Sequence, residues 1–569
     1  MIQRIKIGTG SCGIAAGAGD VLEFFRDNVK DIDIVEVGCI GHCYAEPLIE
    51  VETEKESFVY REVKPKKDFL DKILALEDFS RLKTEEGRTS RELIKATRLA
   101  GRINPVSIEE YEANGGYAAL RKALAMKPED VVSEVKKSGL RGRGGGGFPT
   151  GLKWSFLAAK KNREKVLICN ADEGDPGAFM DRSLMESVPH QVLEGMLIGA
   201  HATGASEIFI YCRAEYPLAV KNLGIAVKQI AEKGYDTING RKLNIRIKEG
   251  AGAFVCGEET AMMNSLEGRR GTPRFRPPFP TDKGFKGHPS LINNVETFAS
   301  IPWIVDEGGE AYAEIGTEGS KGTKLFALAG DLNNPGLAEV PMGITIGEIV
   351  YEIGGGERGK VKAVQIGGPS GGCIPEEHFD TPVDYDSLRS LGAIMGSGGL
   401  IVIGNDRCMV ETARYFLDFT ARESCGKCTF CRVGTMRMLE TLEKITSGRG
   451  TEEDIRFLED IGPKIVKGSL CGLGQTAPNP VLSTLRYYKN EYLNHVKERQ
   501  CAALQCNALV DIMLDREKCI ECKVCIKNCP VDAISEDYDL DMAVCTRCNS
   551  CIEVCPKDAL TRVPRGEAK

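Results

Sequence analysis

Residues 519–530 read CIECKVCIKNCP, and residues 545–556 read CTRCNSCIEVCP. Both follow C-x2-C-x2-C-x3-C-P, the run that clasps a 4Fe–4S cluster. Three thiolates on one short loop hold one cluster, and the fourth cysteine, followed by proline, turns toward the other. The pattern predicts one cluster on Cys519, Cys522, Cys525 and Cys555, and a second on Cys545, Cys548, Cys551 and Cys529. Zinc is the rival for such cysteines, but zinc sites lack this crossed arrangement.

The rest of the cysteine usage agrees with that chemistry. The chain has 569 residues and 22 cysteines, and ten of the cysteines follow residue 500. A disulfide framework belongs to short secreted chains, whereas tight CxxC clusters in a long chain read as metal ligands. Cys169, Cys212, Cys373 and Cys408 stand apart and read as buried free thiols. A chain this long predicts several domains. Its 42% hydrophobic and 27% charged residues describe a globular protein, and its net charge of −8 gives no reason to expect nucleic-acid binding. No apolar run approaches the roughly 18–20 residues of a membrane span, and the opening residues MIQRIKI read as a strand rather than a signal peptide. A cytoplasmic location is the expectation.

A glycine-rich loop lies in the first half. Ser138–Trp154 reads SGLRGRGGGGFPTGLKW, and glycines let backbone N–H groups approach a ligand closely, as phosphate cradles require. The loop matches neither the Walker pattern nor GxGxxG, so alone it reads equally as a linker. Its company matters. Residues 166–182, VLICNADEGDPGAFMDR, read as a buried strand running into an acidic turn. Residues 249–268, EGAGAFVCGEETAMMNSLEG, contain a second glycine turn with paired carboxylates. Residues 273–297 carry PRFRPPFP and LINNVET. Together these pieces resemble the flavoprotein, the flavin-binding subunit of respiratory NADH:quinone oxidoreductase, over roughly residues 120–480.

The resemblance implies FMN on Gly142, Arg143, Gly144, Lys153, Asn170, Asp172, Gly257, Glu258, Asn293 and Asn294. It implies a nicotinamide nucleotide sandwiched by Phe148, Phe156 and Phe279, with polar contacts from Glu173 and Glu259. Asp175 stands where the family usually has Glu, and Arg276 where it often has Lys. An added guanidinium suits a 2′-phosphate, yet NAD(H) remains the expectation. Residues 423–435, ESCGKCTFCRVGT, with Cys471 in GSLCGLGQ, imply a third 4Fe–4S cluster on Cys425, Cys428, Cys431 and Cys471.

Two sites stay open. The first eighty residues resemble the thioredoxin-like 2Fe–2S fold, which uses C-x4-C and then C-x3-C. Cys39 and Cys43 supply the second pair, but only Cys12 represents the first, because Gly17 occupies its partner's position. A 2Fe–2S cluster and a cluster-free docking domain are both readings. In HVKERQCAALQC, His495, Cys501 and Cys506 suit tetrahedral zinc, with a fourth ligand from elsewhere, or else stay unliganded.

The expected architecture is a multidomain α/β chain. It runs through a thioredoxin-like domain (1–85), an FMN- and NAD(H)-binding α/β domain (86–320) and a β-grasp domain (321–408). A helical bundle with a 4Fe–4S cluster (409–500) and a ferredoxin domain with two 4Fe–4S clusters (501–569) complete it. This layout resembles the β subunit of electron-bifurcating NAD(P)-linked hydrogenases. The resemblance implies hydride exchange between NAD(H) and FMN, single-electron relay through the clusters, and three partners: ferredoxin, a thioredoxin-like 2Fe–2S subunit and a separate catalytic subunit. The diaphorase subunit of a formate dehydrogenase or other low-potential reductase, and a non-catalytic electron-relay and docking subunit, are the alternatives.

Overall fold

Val166–Ala171, VLICNA, is apolar toward both faces, as a strand between two helical layers must be. It pairs in parallel with Glu207–Arg213 on one side and Ser290–Asn294 on the other, and Asn244–Gly250 completes a four-stranded parallel sheet. Every residue of the helix Pro189–Thr203 is buried, which identifies it as the central packing element of this layer. Val295–Glu307 packs along it. A charge inside this core is tolerated because it is fully hydrogen-bonded. Glu194 accepts from Tyr111 Oη at 2.5 Å, Tyr117 N at 3.0 Å and Leu120 N at 2.9 Å. In open parallel sheets, ligands bind at the carboxyl ends of the strands. Here those ends carry Asn170, Asn293 and Asn294.

The computed structural model describes residues 1–82, 89–161 and 164–567. The domain boundary expected at residues 85–86 lies outside the described residues. The chain forms two compact units, residues 1–368 with 376–402, and residues 369–375 with 403–569.

The first unit opens with a mixed five-stranded sheet, ordered Asp33–Val37, Ile2–Gly8, Ile49–Thr53, Ser57–Tyr60 and Arg81–Leu82. Its core is Ile5, Ile7, Val21, Phe25, Ile49, Val51 and Tyr60. After the flavin-like layer come Thr323–Gly330, paired antiparallel with Gly336–Pro341 and parallel with Gly399–Gly404.

The second unit is built on the helices Met409–Arg422, Thr429–Thr446, Glu452–Gly468 and Asn479–Tyr487. Leu417, Met438, Leu442, Leu458, Ile465 and Val481 meet in their core. Gly434 allows the close approach of Ile465, whose Cγ1 stands 2.5 Å from where a side chain would begin. Thr451 and Asp454 form a capping box that starts the third helix. The last segment is a two-stranded ribbon, Val510–Leu514 with Leu560–Pro564, enclosing two short cysteine-bearing helices. Left-handed residues recur through it as the pairs Glu521 and Arg547, Lys523 and Asn549, Asp532 and Asp558. Each pair has the same spacing as Cys519 and Cys545, so the repeat seen in the cysteines is also a repeat of backbone shape. Among the described residues, no helix is long and apolar enough to cross a membrane.

Candidate nucleotide and metal-cluster sites

The glycine loop is a cradle bounded on three sides. A side chain at Gly144 would begin 3.0 Å from Asn294 Cβ, one at Gly145 3.2 Å from the backbone of Gly396, and one at Gly147 2.6 Å from the Tyr385 ring. At Gly146 nothing lies within 4 Å, so this face is open. Tyr385 Oη donates to Gly142 O at 3.0 Å. The loop hands over to the helix Thr150–Ala158, which carries Lys153. Lys153 Nζ donates to Ile292 O at 2.7 Å and pairs with Glu259. A glycine-lined hollow beside a lysine, with asparagines from two strand ends, fits the phosphate and polar edges of a flavin nucleotide.

Several expected contacts turn elsewhere. Arg143 is fully buried, and its guanidinium donates to Thr323 O, Arg141 O, Lys321 O and Tyr312 Oη. Its side chain therefore props the cradle from behind instead of entering it. Glu173 caps the helix Met180–Ser187, accepting from Asp181 N at 3.0 Å and Arg182 N at 3.1 Å. Glu258 caps Glu259–Leu266, accepting from Thr260 N and Ala261 N, both at 2.9 Å. Unsatisfied N–H groups at helix starts claim nearby carboxylates, and this competition turned both inward. Asn293 Oδ1 is taken by Trp154 Nε1 at 2.9 Å, while Asn170 Nδ2 donates to Gly257 O at 2.8 Å. Asp172 is buried beside this turn, its carbonyl 3.3 Å from where a Gly257 side chain would begin.

The aromatic residues behave differently. Phe148, Phe156 and Phe279 are 46, 45 and 53% exposed, and Phe275, in the PRFRPPFP run but not among the expected contacts, is 72% exposed. Phe148 and Phe156 stand 6.4 Å apart by ring centroid. Exposed aromatic clusters of this kind mark binding surfaces. Arg276 Nη1 lies 4.0 Å from Glu259 Oε2, so its charge is already faced by a carboxylate. Burial pushes Asp175 up to about 7, with Ser397 Oγ donating to it at 3.0 Å.

In the second unit, Cys431 and Cys471 are buried, and Cys428 and Cys471 precede the first turns of Thr429–Thr446 and Gly472–Thr476. Burial pushes Cys431 up to about 11, and the Cys428, Cys471 and Cys425 sulfurs add to the rise. The other three expected ligands of this cluster thus lie close enough to act on Cys431. In the C-terminal segment, one cavity is lined by Cys529 together with Cys545, Cys548 and Cys551. That is the crossed ligand set expected from the repeat. Cys529 and Cys555 accept equivalent backbone bonds, from Ala533 N and Ala559 N, each at 3.2 Å.

The pair of open sites resolves unequally. Cys408, read from the sequence as an isolated thiol, joins His495, Cys501 and Cys506, and their ligand atoms all lie within 4.8 Å of one another in a buried cluster. His495 Nε2 is 3.3 Å from Cys506 Sγ, and His495 Nδ1 meets Glu491 O at 2.7 Å. The carbonyl fixes the ring so that Nε2 faces the sulfurs, the usual support for a metal-bound histidine. His495 sits in a π-helical turn, Asn494–Glu498. No local spacing pointed to Cys408.

At the N-terminus, Cys39 Sγ and Cys43 Sγ are 3.9 Å apart. A hydrogen bond from Cys43 lowers Cys12 to about 7 against the opposing effect of burial, helped by Arg182, whose Nη2 is 3.8 Å from the Cys12 sulfur. Three sulfurs converge, and Gly17 leaves no fourth thiol. The helix Met180–Ser187 holds this corner against the nucleotide layer: Glu186 accepts from Ser11 N at 2.9 Å, and Cys39 N donates to Ser187 Oγ at 3.0 Å.

Known proteins share these segments. The family described as Nuo51 FMN-binding domain matches residues 135–303. The NADH-ubiquinone oxidoreductase-F iron-sulfur binding region matches 411–495, and the 4Fe-4S binding domain matches 512–535 and 538–561. The chain is 51% identical over 451 residues to NADP-reducing hydrogenase subunit HndC of Solidesulfovibrio fructosivorans, covering 78% of this chain and 92% of that one. It is 44% identical over 401 residues to a subunit of the NADH-quinone oxidoreductase of Rhizobium meliloti (strain 1021), covering 69% and 95%. A crystal structure of an NAD+-reducing [NiFe]-hydrogenase in the H2-reduced state contains a chain that superposes with a TM-score of 0.64. The two chains are 31% identical, with 87% of this chain and 85% of that one covered.

Proposed function

Because this chain belongs to the NADH-quinone oxidoreductase flavoprotein family, we propose that it is the diaphorase subunit of a multisubunit, hydrogenase-like oxidoreductase. It exchanges hydride with NAD(H) and relays single electrons through three 4Fe–4S clusters to ferredoxin and to a separate catalytic subunit. The observation that carries this reading is the open glycine cradle at Gly144–Gly147, set between Lys153 and Asn294 at the carboxyl edge of a parallel sheet. FMN bound there supplies the conversion between two-electron hydride chemistry and one-electron transfer.

The residues of the chain have separate tasks in this scheme. Lys153 and the loop amides hold the phosphate. Asn170 and Asn294 orient the polar edge of the ring system. Phe148, Phe156 and Phe279 receive the nicotinamide nucleotide and exclude water from its face. Glu259 pairs with Lys153 and also stands 4.0 Å from Arg276 Nη1, and a carboxylate beside Arg276 disfavours a 2′-phosphate there, which favours NAD(H) over NADP(H). Hydrogenase membership draws on the relatives named as hydrogenase subunits. Electron bifurcation between ferredoxin and NAD(H), with a thioredoxin-like 2Fe–2S subunit beside this one, belongs to the same reading.

The five-domain layout expected from the sequence is part of the proposal, as are two further metal sites. Cys408, His495, Cys501 and Cys506 hold a structural zinc, because tetrahedral Cys3His coordination needs sulfurs about 3.8 Å apart, close to the 3.9 Å between Cys408 and Cys506. Cys12, Cys39 and Cys43 hold a 2Fe–2S cluster whose fourth ligand is not a cysteine. Anaerobically purified chain mixed with NADH and an artificial dye tests the central reading. Flavin-dependent dye reduction supports it, and bound clusters without dye reduction would leave only a relay.

A further inference from the structure

The helix Met180–Ser187 starts beneath the glycine cradle, and its second residue has no task in the scheme just given. Asp181 is 4% exposed. One of its carboxylate oxygens accepts from Asn294 Nδ2 and the other from Glu296 N at 3.3 Å. Asn294 is the residue that walls the cradle at Gly144. Asp181 therefore lies one side chain behind the space assigned to the flavin.

Its surroundings hold several carboxylates, and the cations among them are engaged by other groups. Glu173, from the turn after the central strand, holds the backbone N–H of Asp181. Glu296, from the helix Val295–Glu307, is 2% exposed and pairs with the fully buried Lys324 of the neighbouring strand. Lys324 also donates to Leu325 O at 2.8 Å. Arg143 faces Glu296, but its guanidinium is committed to three carbonyls and Tyr312. Arg182 faces Glu173 and also lies beside Cys12. Asp175 adds a further carboxylate behind Glu173, and Cys169 faces Asp181 from the central strand. Both donors to the Asp181 carboxylate are neutral, so it is the least compensated of the three buried acids. Burial, followed by the fields of Glu173 and Glu296, raises its proton affinity well above that of an ordinary aspartate, with the field of Lys324 and the Asn294 hydrogen bond opposing the rise.

We propose that Asp181 is the charge-compensating group of the flavin site, binding a proton when the flavin is reduced and releasing it when the electrons leave. The proposal rests on reading the cradle as the FMN site. Its balance is explicit. The nicotinamide C–H bond breaks and a flavin N–H bond forms, carrying two electrons and one proton, so the flavin gains one negative charge. The Asp181 carboxylate then takes one proton from solvent, forming an O–H bond. When the two electrons depart singly, the flavin proton and the Asp181 proton both return to solvent. Asp181 touches none of the reacting atoms. It is a positioning residue that acts through Asn294 and through its field, which a low-dielectric interior transmits with little screening.

The test is a spectroelectrochemical titration of the flavin in the full chain, loaded with FMN and free of nucleotide, repeated across pH. Flavin content is measured first, and wild-type chain that binds no flavin defeats the cradle reading and this proposal with it. With flavin bound, the slope of midpoint potential against pH counts protons per electron pair. On the alkaline side of neutrality the wild type takes up two, Asp181→Asn takes up one, and Asp181→Glu restores the second. Asp175→Asn keeps the count at two. A single proton per pair in the wild type overturns the proposal without any variant having to fold, and so does an unchanged count in Asp181→Asn.

Discussion

Cys408 Sγ lies 3.4 Å from His495 Nε2, although 87 positions separate the two residues in the chain. Cys408 immediately precedes the first bundle helix, and His495 lies in the π-helical turn after the last. A metal bound between them ties the start of the bundle to its end, closing a long loop in the unfolded chain.

Replacing Cys408 with Ser therefore removes one zinc per chain, read by metal analysis. It also lowers the stability of the 403–569 unit by several kcal/mol, on the order of the loss of any structural metal ligand. Cys169→Ala, at an equally buried thiol with no such partners, leaves the zinc content unchanged.

The crossed cluster assignment makes a separate claim. Cys529→Ala should abolish the cluster held by Cys545, Cys548 and Cys551 while sparing the one on Cys519, Cys522 and Cys525. Iron content then falls by about four per chain, and one of the two C-terminal cluster signals disappears from the electron paramagnetic resonance spectrum. Loss of the opposite cluster reverses the assignment.

Gly147 has φ +59°, and the Tyr385 ring stands 2.6 Å from where a side chain would begin. Gly147→Val forces the cradle open in a backbone region that β-branched residues avoid. Flavin affinity falls at least ~10-fold, a loss of roughly 1.4 kcal/mol or more, measured by flavin release on dilution. Gly224→Ala, where nothing lies within 4 Å, leaves it unaltered.

How much of this was legible beforehand depends on distance along the chain. The cysteines of each ferredoxin run, 519–529 and 545–555, are close in the chain, and the repetition of the run supplies the crossed fourth ligand, so their spacing carries the geometry. Cys471 was reached through resemblance. Cys408 was read as an isolated thiol because its partners come together only when the bundle closes. The nucleotide layer shows a second limit. The acidic turn and the glycine loop were readable as a site, but the directions of Glu173 and Glu258 were not. Glu258 is the residue before its helix, and Glu173 reaches the start of Met180–Ser187 from the preceding turn. The first N–H groups of both helices need an acceptor, and that demand outweighed a position in the cradle. The direction of the Arg143 side chain was hidden for a related reason, since buried carbonyls around Thr323 and Lys321 compete for the same guanidinium.

Asp175 supplies a pH prediction with a definite sign. Its folded-state pKa is raised by burial to about 7 from an ordinary value of 3.8. The carboxyl is neutral in the fold below about pH 7, so its contribution is fully present below the unfolded pKa and is lost as pH rises through the interval between the two values. The total is on the order of 4 kcal/mol. Asp175→Asn keeps an acceptor for Ser397 and removes the ionisation, so thermal stability above neutrality rises and its pH slope flattens between those limits. An unchanged slope in differential scanning calorimetry contradicts the assignment.

The most direct test of the central claim is flavin, iron and zinc analysis of the anaerobically purified native complex, followed by addition of NADH. The account predicts one FMN, one zinc and about twelve irons in the three 4Fe–4S clusters of this chain. A further pair of irons is expected at Cys12, Cys39 and Cys43, with bleaching of the flavin band on mixing. A chain that carries its clusters but neither binds flavin nor responds to NADH would contradict it.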